Sequence, residues 1–148
     1  IGPDMGHEHV IPEIVGRIVK MSDGLKKTEI DLPIQGDGSE TRSFCDVRDG
    51  AMGAFIAGEK GEDGNIYHVG NEIEVSIRHL VESLGRVLGV KVNIVPGELR
   101  PGGTPRRCPA IGKLQKLGYE PQYSFDQAIE RAAKWYADYH LQNAGAAG

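Results

Sequence analysis

Glu29-Ile30-Asp31-Leu32-Pro33-Ile34-Gln35-Gly36-Asp37-Gly38-Ser39-Glu40-Thr41-Arg42 is the stretch on which the fold turns. Its first six residues alternate polar and apolar, the period of a strand with one buried face. Pro33 has no N–H to give to a ladder, so this strand belongs at a sheet edge. Residues 35–39 are a turn by composition, and residues 41–45 return to extended chain. Helical patterns flank this unit on both sides. Upstream, over residues 10–20, Ile11, Ile14, Val15, Ile18 and Val19 recur at helical spacing, with Pro12 in the first turn and Gly24 as the stop. Downstream, residues 47–57 form a second helical segment carrying Met52, Phe55 and Ile56.

The alternation continues to the C-terminus. Residues 58–65 read as a polar loop and residues 65–70 as a strand. Ser76 opens a helix with Leu80, Val81, Leu84 and Val87 on one stripe, and Gly89 closes it. Residues 90–95 alternate as a strand, and residues 96–109, rich in Pro, Gly and Arg, read as loop. A short helix over 110–117 ends at Gly118. Ser124-Phe125-Asp126-Gln127 has the form of a capping box and opens a last amphipathic helix. Helices and strands in alternation define an α/β or α+β fold. With no repeat and no linker, residues 1–142 read as one domain and residues 143–148 as a disordered tail.

Composition narrows the function. The 148 residues carry 17 Lys and Arg against 21 Asp and Glu, a net charge of −4. A nucleic-acid binder needs a basic face, so that class is excluded, and no apolar run is long enough for a membrane span. Cys45 and Cys108 are too few and too far apart for a disulfide framework, which points to a reduced, cytoplasmic setting. Glycine, at 21 residues, is about twice its usual ~7% share and sits singly at turns. The first residue is Ile, which implies a chain processed or cut from something longer.

Three clusters are candidates for chemistry. The Gly36-Asp37-Gly38 turn leads to Arg42; such a turn lets backbone approach a ligand, and a guanidinium forks onto phosphate oxygens, although an ordinary hairpin turn reads the same way. Arg100, Arg106 and Arg107 cluster on a loop in an acidic chain, which marks either an anion site or a charged surface loop. His7-Glu8-His9, with Asp4, reads as polar lead-in to a helix rather than as a metal site. Gly-x-Gly-x-x-Gly after a strand, Gly-x-Ser-x-Gly, the P-loop and Tyr-x-x-x-Lys are all missing, so the chain holds no self-sufficient catalytic set.

The order of motifs is nonetheless specific: Gly2-Pro3, Val10-Ile11-Pro12, Gly36 to Phe44, Val47-x-Asp49, Tyr67-His68-Val69-Gly70-Asn71, Arg106-Arg107-Cys108-Pro109, Leu117-Gly118-Tyr119-Glu120-Pro121 and a terminal Trp135-Tyr136. Over nearly the whole chain this resembles the C-terminal, substrate-binding portion of an extended short-chain dehydrogenase/reductase, among the NAD-dependent nucleotide-sugar epimerases and dehydratases. The resemblance implies that NAD and the catalytic Tyr/Lys pair belong to an N-terminal Rossmann part outside this chain. On that basis this chain binds no cofactor, recognises a nucleoside diphosphate sugar and does not catalyse alone. By position it places Arg42 and Arg107 on the diphosphate, Val10 and Ile11 near the base, and Gln35 and Gly36 beside the nucleotide. Helix-start N–H groups at residues 10 and 11 would add positive potential. The chain departs from the pattern at Ala110, where the family's ribose-side acid stands, and at Asp46 and Arg48. The alternatives are a standalone module that forms a homodimer through the face left by the Rossmann half, and a complex with that half as a separate polypeptide.

Overall fold

The computed structural model describes residues 1–98 and 102–144. Three helices form the main layer: α1 (Val10–Met21), α3 (Ile77–Leu88) and α5 (Phe125–Ala144). They pack on a two-stranded parallel sheet of β1 (Glu29–Gln35) and β4 (Lys91–Gly97). A second sheet has the order β3 (Glu74–Ser76), β2 (Thr41–Ser43), β5 (Arg106–Arg107), with β2 antiparallel to β3 and parallel to β5. Helix α2 (Val47–Lys60) and the short α4 (Gly112–Gln115) complete the fold. The α/β reading holds.

The periodicities act as their spacing requires. Ile30, Leu32 and Ile34 alternate into the core from β1, and Asp31, Pro33 and Gln35 face out. They meet the apolar stripes of the three helices: Ile11, Val15 and Ile18 of α1, Leu80 and Leu84 of α3, Ile129 and Tyr136 of α5. A smaller cluster of Ile111, Leu114 and Tyr119 packs beneath α2. Gly89 caps α3 with φ +70°, a conformation other residues adopt only with strain. Ser124 and Gln127 form the reciprocal capping box at α5: the Ser124 hydroxyl accepts from the Gln127 N–H at 3.2 Å and Gln127 Oε1 from the Ser124 N–H at 2.9 Å.

Several boundaries differ from the sequence reading. Helix α2 runs on through Lys60, into the expected loop. Residues 65–70 have a strand's composition but no strand partner among the described residues, so they remain a lone extended segment with Ile66 75% exposed. Arg106 and Arg107 lie in β5 rather than in loop, because β2 offers them a ladder. Arg100 lies outside the described residues. Helix α5 reaches Ala144, two residues into the expected tail; residues 145–148 lie outside the description.

Candidate functional site

The start of α1, the end of β1 and the entry to β2 converge on a cavity of about 210 Å³. Val10, Glu13, Ile14 and Arg17 of α1, Ile34 and Gln35 of β1, Glu40, Arg42 and Ile77 line it. One wall is aliphatic and the other charged. Arg17 donates to the Pro33 carbonyl and, at 3.5 Å, to Glu13. Arg42 is half-buried, and its Nη1 donates to the Thr41 carbonyl at 2.7 Å. His9 occupies the N-cap of α1 without a side-chain cap bond, so no capping side chain covers the first-turn N–H groups beside the cavity.

The six residues singled out by sequence separate here. Val10, Gln35 and Arg42 line the cavity. Ile11 does not: its side chain is 1% exposed and packed in the core. Gly36 lies at the turn, where its carbonyl accepts from the Gly97 N–H at 3.1 Å. Arg107 stands opposite Arg42 in the β2–β5 register, which puts their Cα atoms about 5 Å apart. It is exposed, and among the described residues its side chain reaches only Thr104 Oγ1, at 3.5 Å. Arg106 is occupied instead: it grips Glu74 with two nitrogens at 2.6–3.0 Å, and Thr41 Oγ1 adds a bond at 2.8 Å. The Arg106 bonds, then that of Thr41, hold the Glu74 carboxyl below the usual range.

The glycine-rich turn is not an open cradle. Arg78, at the start of α3, donates its N–H to Gly38 O at 2.9 Å and its Nη2 to Asp37 O at 2.7 Å. A Cβ on Gly38 would stand 3.0 Å from both the Arg78 nitrogen and Ile34 Cδ1, and its φ is +79°. Gly38 is therefore required by the approach of α3, with no ligand invoked.

Sequence reasoning missed what Asp46 and Arg48 do. These two departures from the family pattern pair with each other. Asp46 caps α2, accepting from the Arg48 N–H at 2.9 Å, and its two oxygens take Arg48 Nε and Nη2 at 2.9 Å each. Its side chain is fully buried, with Arg131 a further 3.8 Å away. The Arg48 bonds hold the Asp46 carboxyl well below the usual range. The guanidinium also lies 3.4 Å over the Tyr123 ring. An acid and a base two residues apart, just ahead of a helix, were the available signal. The His7 ring lies 4.7 Å from that of Tyr139, tilted by 35°, and no group of three metal-binding side chains occurs among the described residues.

The sequence profile of the NAD dependent epimerase/dehydratase family matches residues 1–70. A dTDP-glucose 4,6-dehydratase of Streptomyces antibioticus is 31% identical over 139 residues, 93% of this chain and 39% of that protein. A putative GDP-L-fucose synthase 2 of Arabidopsis thaliana is 27% identical over 92% of this chain and 40% of its own. The crystal structure of DesIV, a dTDP-glucose 4,6-dehydratase from Streptomyces venezuelae with NAD bound, superposes with a TM-score of 0.78 at 32% identity, covering 93% of this chain and 41% of that one. The chain thus spans about two fifths of the proteins it matches. In sequence and in fold it resembles a portion of the NAD-dependent epimerase/dehydratase proteins.

DesIV is described with NAD bound, and the β1 turn of this chain does not supply the dinucleotide fingerprint. A dinucleotide site needs a strand that turns through glycines directly into a helix N-terminus. Here β1 turns through Gly36 and Gly38 into another strand, and α3 fills the turn.

Proposed function

We propose that this chain is the nucleotide-sugar-recognition part of an NAD-dependent epimerase or dehydratase and does not catalyse by itself. The observation that carries the reading is the cavity between α1, β1 and β2. It joins an aliphatic wall, suited to a base, to the Arg42 guanidinium, suited to a diphosphate. Arg107, beside Arg42 in the ladder, supplies the second fork. The relatives named above are described as acting on dTDP and GDP sugars, so the ligand class is a nucleoside diphosphate sugar. Calorimetry with UDP, dTDP, CDP and GDP sugars tests it: at least one must bind.

A second reading has its own observation. Helix α2 exposes Val47, Met52 and Phe55 at 53–64%, and Ile66 and Ile73 on the adjoining chain are 75% and 67% exposed. Gly53 of α2 lies against Val69, so the chain that carries Ile66 packs on this helix. Large apolar side chains exposed in this number favour an association surface. Its occupant is the remaining part of the enzyme, as the same polypeptide or a separate one; failing that, it is a second copy of this chain. No helix among the described residues is long and apolar enough to cross a membrane.

A further inference from the structure

Two acidic side chains, Glu13 and Glu40, line the cavity; Glu13 is paired with Arg17, and the recognition scheme above gives Glu40 no role. The Glu40 Oε2 is buried and has no hydrogen-bond partner among the described residues. Its backbone is fixed, since the carbonyl accepts from the Ile77 N–H at 2.9 Å and the next residue, Thr41, bonds to Pro105 O at 2.9 Å. Neither nearby cation is bonded to this carboxylate: Arg17 bonds to Pro33 and Glu13, and Arg42 gives only Nη1, to the Thr41 carbonyl. A buried carboxylate oxygen without a donor is costly, and the cost is recovered where a ligand brings hydroxyl or N–H groups.

Spacing decides which part of a nucleotide supplies them. Glu40 and Arg42 both line the cavity, two residues apart in extended chain, so their Cα atoms stand about 6.6 Å apart along one wall. With the diphosphate on Arg42, that step crosses a ribose and stops short of the base. The base falls instead against the aliphatic residues Val10, Ile14 and Ile34. Near a diphosphate a carboxylate is repelled unless donors intervene, and the vicinal 2′ and 3′ hydroxyls are such a pair. Resting on the recognition reading above, we infer that Glu40 accepts hydrogen bonds from the ribose diol, so that the site selects ribonucleoside over 2′-deoxyribonucleoside diphosphates.

Matched pairs isolate the sugar from the base. Calorimetry of this chain with GDP against dGDP, and UDP against dUDP, is run on wild type, Glu40→Gln and Glu40→Ala, with circular dichroism confirming the fold of each. In any pair that binds, the ribonucleotide is expected to bind about tenfold tighter, the worth of one charge-assisted hydrogen bond. In Glu40→Ala the ratio falls to within about twofold, and Glu40→Gln, which keeps one acceptor, lies between. A wild-type ratio already near one, or a ratio unchanged in Glu40→Ala, overturns the inference. So does a loss in Glu40→Ala that follows the base and is equal in ribo and deoxy forms, which would put Glu40 on the base edge. Failure of all four nucleotides to bind wild type overturns this inference, whereas the recognition reading falls only if none of the UDP, dTDP, CDP and GDP sugars binds.

Discussion

Asp46→Ala removes two supports of α2 at once, and the structure gives each a size. The first is the N-cap bond to the Arg48 N–H, whose loss costs about 1 kcal/mol. The second is the pair of bonds from Arg48 Nε and Nη2. Bonds to charged groups are worth about 1.5–3 kcal/mol when buried. The Arg48 side chain is 38% exposed, however, so water re-solvates the guanidinium and the lower end or less applies. The sum is about 2 kcal/mol, or a melting point lowered by about 4–8 °C for a chain of this size. Asn is as good a helix cap as Asp, so Asp46→Asn should recover the cap portion and lose only the charge. The pH dependence supplies a second signature. Because the Arg48 bonds depress the Asp46 carboxyl in the fold, its stabilisation is complete above the unfolded value near ~3.9 and is lost as pH falls below it. The gap between wild type and Asp46→Asn is therefore wide at pH 7 and closes as the pH falls below the unfolded value. Thermal melts by circular dichroism across that range measure both effects. A drop of under about 2 °C for Asp46→Ala, or a gap independent of pH, refutes the reasoning.

Tyr119→Phe deletes a buried hydroxyl that donates to Gly70 O at 2.7 Å, and should cost about 1–2 kcal/mol in urea unfolding; a neutral result would mean that the carbonyl finds another donor. Ile66→Glu together with Phe55→Glu should abolish concentration-dependent association in sedimentation, and a wild-type chain that stays monomeric at every concentration would remove the self-association reading. Arg106→Ala should lower the melting point slightly while leaving nucleotide affinity intact, since its guanidinium is held by Glu74; a matching loss of binding would place it in the site.

Local physics made the helices legible. The stripe Ile11, Val15, Ile18, the αL stop at Gly89 and the Ser124–Gln127 box are written in neighbouring residues, and each occurs where its spacing puts it. Strands were legible only so far as pairing was not required. Residues 65–70 have a strand's composition and no strand partner among the described residues, whereas Arg106 and Arg107 look like loop and are strand because β2 lies beside them. Pairings such as Arg106 with Glu74 span 32 residues, and no window of sequence contains them. The motif order also pointed to the proteins this chain resembles, but it could not tell Val10, whose side chain lines the cavity, from Ile11, whose side chain turns into the core one position along the same helix. That difference is a rotation of about 100° about the helix axis, which follows only once α1 is docked.

The central claim is that Arg42 and Arg107 bind the diphosphate of a nucleotide sugar. Calorimetry of the wild-type chain with UDP, dTDP, CDP and GDP sugars, repeated on Arg42→Ala and Arg107→Ala, tests it most directly. The account predicts saturable binding of at least one ligand, weakened about tenfold or more by each substitution. Binding of none, or binding that Arg42→Ala leaves unchanged, would contradict it.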